Sequence, residues 1–291
     1  MRAWVLNLDA DRELAHPEGF NPRPKDLARA EAHHDALAAL VGDHRVVRPT
    51  DRQGSARGHE GICWCPTPWA LAQLERVGAE PPPAPPLPVL QRVNHRAFCA
   101  ALGPTLPGAV FTRSSAEALT VVSRPTPTGS WLVKHPFSFS GSGQLPIYGD
   151  RLTDGERERI ERTIQKDGLQ IEPRVERLAD FAIHGEVVAG GDLRIGRPVI
   201  QTVTPRGTWQ RSTVAGPEDL STEERDALLA EGERVGEALR RAGYFGPFGV
   251  DAFRYRWWDD QARFNPRCEI NARYTMGWAQ GMSQARDGHS G

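Results

Sequence analysis

Lysine is scarce in this chain: only Lys25, Lys134 and Lys166 occur, against 36 lysine-plus-arginine residues in all. An excess of one charge sign is missing too, with 37 acids and a formal net charge of -1. That balance argues against a general nucleic-acid coat or an anionic-membrane binder, and leaves room for a local basic pocket. No stretch approaches the roughly 18 to 20 apolar residues that span a bilayer. The opening MRAWVLNLDADREL does not read as a signal peptide, because its apolar run is short and acids follow closely. The expected location is the cytoplasm. There are four cysteines. Cys63-Trp64-Cys65 is too tightly spaced for a zinc knuckle, and no second Cys/His pair stands at ligand spacing. The cysteines therefore read as ordinary reduced thiols.

With 291 residues, 39% hydrophobic and 25% charged, the chain fits a soluble globular protein able to bury a sizeable core. Its length suggests one composite domain or two lobes. The scarcity of lysine gives weight to Lys134, which stands in an apolar run. A compact ammonium fits beside phosphate oxygens where a planar guanidinium does not always fit.

Residues 3–8 read as a buried strand, 26–41 as a helix, 44–49 as a strand and 67–78 as a helix stopped by Gly78. This alternation predicts a small parallel α/β lobe over residues 1–80. His33 and His34 fall within the first helix and read as surface residues. The Pro-dense stretch 81–88 breaks helix and ladder alike, favours an extended strap and marks a boundary. Beyond it, 93–103 reads as a helix N-capped by Asn94. Strands follow at 108–112 and 130–138, with a short helix at 115–123 between them. A helix is predicted over 153–168, a strand over 169–176, and antiparallel strands within 180–204. Ser221 and Glu224 form a capping box for a long helix ended by Gly243. Two strands, 248–257 and 264–273, are joined by a polar turn at Asp259-Asp260-Gln261. Trp257, Trp258 and Trp278 read as packing residues.

Three pieces carry chemistry. Lys134 feeds a Gly/Ser loop, Ser138-Phe139-Ser140-Gly141-Ser142-Gly143, whose backbone N–H groups can approach an anion. This is no Walker A loop, since the required order of residues is absent. Asp251 lies on one late strand, and Glu269 and Asn271 lie two apart on the next. Positions i and i+2 share a face, so two carboxylates and an amide oxygen converge in a hard-oxygen cradle suited to Mg²⁺. A cross-strand polar surface explains the same spacing equally well. In LQIEPRVERLADF, a hinge at Glu172 with a carboxylate at Asp180 can read an adenine edge and hold ribose hydroxyls.

Lys134 and its loop, the Glu172 hinge, Asp180, then Asp251 and Glu269-x-Asn271 occur in an order that resembles the ATP-grasp superfamily. The motifs that carry the likeness are KHPFSFSGSG, IEPRVE, and EINAR after GPFGVDAF, and it covers roughly residues 88–282. It implies an α/β (α+β) fold in which two α+β subdomains clasp a nucleotide: an ATP-grasp region over 89–291, with a lid-like subdomain at about 105–170 and a metal-binding subdomain at about 171–285. Residues 1–80 resemble the lobe that often precedes this fold.

The resemblance implies that Lys134 contacts the α- and β-phosphates of ATP, and that Arg96 stands where many members carry another phosphate-facing lysine. Ser140, Gly141, Ser142 and Gly143 would cover the triphosphate. Glu172, with backbone near Pro173 and Arg174, would face adenine, and Asp180 would hold the ribose. Asp251, Glu269 and Asn271 would bind Mg²⁺ or Mn²⁺. Most such enzymes are ligases that activate a carboxylate as an acyl phosphate and join it to an amine, so small-molecule or peptide acids and amines are the implied substrates. Arg273 and Arg211 are the candidates for the further cation this chemistry needs, with Arg194 behind them. An ATP-grasp kinase and a non-catalytic nucleotide-binding module are the alternatives. Nucleic-acid and membrane partners are not expected, and the oligomeric state is not specified.

Overall fold

A computed structural model places three sheets in succession along the chain; it describes residues 1–33, 35–137, 143–148, 152–204, 209–283 and 286–287. The first lobe runs β1 (Arg2–Val5), α1 (Ala10–Ala15), α2 (Pro24–Ala32), α3 (Ala38–Val41), β2 (Arg45–Val46), β3 (Glu60–Cys63) and α4 (Pro68–Val77). Its strands form a parallel sheet in the order β2-β1-β3; the parallel pairing of β1 with β2 is what the alternation of elements predicts. The period-two rule works along β1: Ala3 and Val5 pack with Leu74 and Val77 of α4, while Trp4 joins the larger core.

Two expectations fail in this lobe. The helix over 26–41 is interrupted: α2 ends at Ala32, and a 3₁₀ turn at Asp35–Leu37 precedes α3. The break falls where His33, His34 and Asp35 leave the apolar stripe empty. His34 lies outside the described residues. Strand β3 was not legible. Its Gly61 lets the strand press against α4, since a Cβ there would lie 2.6 Å from Leu74 Cδ1 and 2.7 Å from the Glu80 carbonyl oxygen.

The predicted helix over 93–103 is two helices, α5 (Leu87–Asn94) and α6 (Arg96–Ala101). Asn94 ends the first rather than capping the second. The cap is His95, whose Nδ1 accepts from the Ala97 N–H. Asn94 instead accepts the Ala272 N–H at 2.8 Å and donates to the Leu90 carbonyl at 3.0 Å, tying α5 to the far end of the chain.

The second sheet comprises β4 (Val110–Thr112), β5 (Ser130–Lys134), β6 (Gln144–Tyr148) and β7 (Leu169–Pro173), antiparallel in the order β4-β7-β5-β6. Helices α7 (Ser115–Val122) and α8 (Asp154–Asp167) cover one face, packing Ala118, Val122, Ile160 and Ile164 against Trp131, Val133, Leu169 and Ile171. Alternation then turns Lys134, Gln170 and Glu172 to the other face.

The third sheet is antiparallel, in the order β11 (Trp209–Val214), β10 (Val199–Val203), β8 (Glu176–Val187), β12 (Gly246–Arg256), β13 (Ala262–Asn271). Strand β9 (Leu193–Ile195) also pairs with β8, and β14 (Arg286–Asp287) pairs with β9. Helix α9 (Thr222–Arg241) lies on one face, where Leu228, Val235 and Leu239 meet Phe181, Ile183, Val250 and Ile270. Its N-terminus carries the expected Ser221–Glu224 capping box. The short α10 (Trp278–Met282) packs on β8 and β11. Among the described residues no helix is long and apolar enough to cross a membrane.

Candidate active site

The helix-free face of the second sheet and the face of the third sheet opposite α9 supply a connected set of charged groups. Lys134 and Glu172 form an ion pair, with both side chains 3% exposed. The other Glu172 oxygen accepts from Gln170 Nε2 at 2.8 Å and from Thr105 Oγ1 at 3.4 Å. Burial works against the Glu172 charge, and the Lys134 ammonium together with the more distant Arg177 and Arg96 outweighs it, holding the carboxyl below its usual range. The expectation that Glu172 offers a free carboxylate at a hinge is thus corrected: the carboxylate is spent on Lys134. Pro173 is buried at the end of β7, has no N–H to give, and faces Trp131 in the ladder. The Arg174 N–H is taken by the Ser130 carbonyl at 2.9 Å, and its guanidinium donates to Tyr148 Oη at 2.7 Å on the outer side.

On the third sheet Asp251 stands opposite Glu269 in the β12–β13 register. Asp251 accepts from Gln201 Nε2 at 3.1 Å and from Asn271 Nδ2 at 3.0 Å. Burial, with the nearby Glu269 charge added, pushes the Asp251 carboxyl up to about 6. Arg273 donates to Asn271 Oδ1 and to Asp11 Oδ2, each at 2.7 Å. Arg96, buried at the start of α6, pairs with Glu269 at 2.9 Å and donates through Nε to the His135 carbonyl at 2.9 Å. Asp180, on β8, accepts from Arg177 Nη1 at 2.8 Å, and the Arg177 guanidinium lies 4.2 Å over the Phe253 ring.

These bonds fall into three sets: Lys134 with Glu172, Gln170 and Thr105; Arg96 with Glu269; and Asp251 with Gln201, Asn271, Arg273 and Asp11. Gly143, just before β6, has a φ of +79°, and its carbonyl accepts the His135 N–H at 3.0 Å. Ser140, Gly141 and Ser142 lie outside the described residues. Arg211 does not join the group. It is exposed on β11 opposite Thr202, and alternation turns it away from the face that carries Gln201. Arg194, on β9, pairs with Glu186 at 3.5 Å and also stands apart.

Sequence reasoning missed Asp11, Thr105, Gln170, Gln201 and Arg177. Gln170 carried a signal, since it lies two before Glu172 on a strand. The others are assembled by tertiary structure alone. All four cysteines are buried and unpaired with one another, and burial raises each thiol's pKa.

A divalent cation would meet hard oxygen donors here: the Asp251 and Glu269 carboxylates and the Asn271 amide oxygen. Glu269 remains 30% exposed while Arg96 takes one of its oxygens. Among the described residues no group of three or more His, Cys, Asp or Glu is placed to hold a metal. The fit thus rests on two carboxylates and an amide, a donor set suited to Mg²⁺.

No family model and no curated protein matches the sequence. Solved structures do match. D-alanyl-alanine synthetase A from Vibrio cholerae superposes over 99% of this chain and 94% of its own, with a TM-score of 0.54 at 13% identity. D-cycloserine synthetase superposes over 99% and 96%, with a TM-score of 0.51 at 14% identity. N5-carboxyaminoimidazole synthetase from Staphylococcus aureus, complexed with ADP, covers 94% and 70%, with a TM-score of 0.51 at 12% identity. This chain has the ATP-grasp fold. Arg96, on α6, joins the two sheets' chains, with the His135 carbonyl after β5 on one side and Glu269 of β13 on the other.

Proposed function

We propose that the protein is an ATP- and Mg²⁺-dependent ligase that activates a substrate carboxylate and joins it to an amine. The observation that carries this reading is the convergence of Lys134 and Arg96 with Asp251, Glu269, Asn271 and Arg273 in a chain of ATP-grasp fold. A nucleotide in the cleft would set its phosphates beside Lys134 and Arg96. Glu172, with Gln170 and Thr105 behind it, holds the ammonium in place. Asp180 would exchange its Arg177 partner for ribose hydroxyls. The backbone beyond Pro173 offers carbonyl acceptors toward the base. Asp251, Glu269 and Asn271 would hold Mg²⁺, which when bound neutralises phosphate charge and orients the triphosphate.

A carboxylate oxygen of the acid attacks the γ-phosphorus, the bond from that phosphorus to the bridging oxygen breaks, and ADP leaves with the electron pair. The acyl phosphate then takes an amine at its carbonyl carbon, inorganic phosphate departs and the amine loses a proton. Arg273, fixed between Asn271 and Asp11, is suited to hold the negative charge that develops on the acyl oxygen.

Release of ADP and phosphate from Mg²⁺-ATP, assayed against a panel of amino acids and small acids with Glu269→Ala as control, tests this. Hydroxylamine added in place of the amine traps an acyl phosphate as a hydroxamate. Acid-dependent hydroxamate that vanishes in Glu269→Ala is the expected result. ADP release with a stable phosphorylated product would instead mark a kinase.

A further inference from the structure

Between the first lobe and the second sheet's helical layer lies a cavity of about 540 Å³, bounded by α1, the start of α2, the chain after β5 and one stripe of α8. That volume suits a small substrate. Asp11 lines it, so the cavity reaches the Asp11–Arg273 pair beside Asn271.

The charges in its wall do not cancel. Asp9 and Asp26 are neutralised by Arg12 and Arg23, and Asp11 by Arg273. Lys25 and Arg159 line the cavity and carry no ion pair among the described residues. Arg162, also in the wall, has only Glu158, 3.9 Å away on its own helix. Against these three cations stands Asp167. Arg12 adds a second sign of an absent partner: its Nε is buried without a hydrogen bond, although its Nη2 is fully used. A buried donor left unpaired is costly, and a ligand acceptor would relieve it. With Asp167 set against Lys25, Arg159 and Arg162, the opening stays positive and attracts an anion, and a substrate whose one carboxylate lies at Arg273 leaves that charge unmet.

We infer that this cavity takes an acid bearing a second anionic group, a dicarboxylate or a phosphorylated acid. The reacting carboxylate lies toward Asp11 and Arg273, and the second anion lies against Lys25, Arg159 and Arg162. The assignment of the reacting end rests on the ligase reading; the preference for a second anion rests on the cavity alone.

Two probe pairs test it: the isosteric L-glutamate and L-glutamine, and O-phospho-L-serine against L-serine, which adds the second anion as a phosphoryl group. Each is titrated calorimetrically into the full chain, with and without Mg²⁺ and a non-hydrolysable ATP analogue. The charged member of each pair is expected to bind at least about tenfold more tightly, the sum of three modest ion pairs. The variant Lys25→Ala/Arg159→Ala/Arg162→Ala should lose that preference, its melting temperature serving as the check on folding. The proposal is overturned if the neutral member binds equally well, if none of the four probes binds, or if the variant keeps the preference. Failure of the ATP analogue to bind overturns the nucleotide reading instead, and the titrations without nucleotide still decide this one.

Discussion

Lys134 and Glu172 neutralise each other from adjacent strands, one on β5 and the other on β7, in a site that water scarcely reaches. Removing one partner leaves a buried charge, whereas removing both leaves a shape to be filled. Glu172→Leu alone should therefore cost about 3–5 kcal/mol of stability. Lys134→Met/Glu172→Leu should be more stable than Glu172→Leu, yet should show no thermal stabilisation by Mg²⁺-ATP. Denaturant melts of the single and double variants, each with and without nucleotide, separate the pair's structural role from its role toward phosphate.

Arg96 uses two directions of its planar fork at once, Nη2 toward Glu269 and Nε toward the His135 carbonyl. A lysine has no such geometry. Arg96→Lys should lose one of the two bonds and destabilise the fold by about 1–3 kcal/mol. It should also weaken nucleotide binding, measured by calorimetry with ADP.

Asp11 is the partner of a buried Arg273, and burial holds its own carboxyl above the ordinary range even with the guanidinium beside it. Asp11→Ala should cost about 3–5 kcal/mol by leaving Arg273 unpaired. Asp11→Asn, which keeps the acceptor but not the charge, should cost less. Unfolding curves of the two variants against the parent chain give the comparison.

His184 lies buried on β8 within reach of three glycines. A Cβ at Gly281 would stand 2.6 Å from its Nδ1, one at Gly277 3.0 Å from Cε1 and one at Gly249 3.4 Å from Cδ2. Nδ1 has no hydrogen-bond partner among the described residues, and burial pushes the imidazole down to about 3. The folded chain keeps this ring neutral, while the unfolded chain protonates it below about 6.5. Its contribution is complete above pH 6.5 and is lost as pH falls toward 3, with a slope up to about 1.4 kcal/mol per pH unit. His184→Gln should flatten the fall in stability between pH 7 and pH 5, measured by denaturant unfolding.

Much of the fold followed from local pattern. The capping box at Ser221 and Glu224, the apolar faces of α8 and α9, and the alternation along β5 and β7 each repeat a rule that neighbours in sequence enforce. The placing of side chains was legible where the same rule applied: Glu269 and Asn271, two apart on β13, both stand beside Asp251, one across the ladder and one through a hydrogen bond. It was not legible where side chains meet only in space. Nothing in the sequence around Asp11 points to Arg273, and nothing around Thr105 points to Glu172. Glu172 itself reads in sequence as a hinge residue whose carboxylate faces an adenine. The ladder with β5 instead draws it inward onto Lys134. Arg211 was chosen for its residue type, and the register of β11 with β10 turns it to the wrong face.

Asp11 and Arg273 are separated by 262 positions along the chain, so their contact is among the last that synthesis permits. At ribosomal speeds, roughly 13 to 50 seconds pass between the emergence of the first residue and the second. Once residue 77 has emerged, a nascent chain can complete the parallel sheet of the first lobe and its covering helix, but until residue 273 follows, Asp11 lacks the guanidinium that neutralises it and the first lobe lacks this tie to the end of the chain.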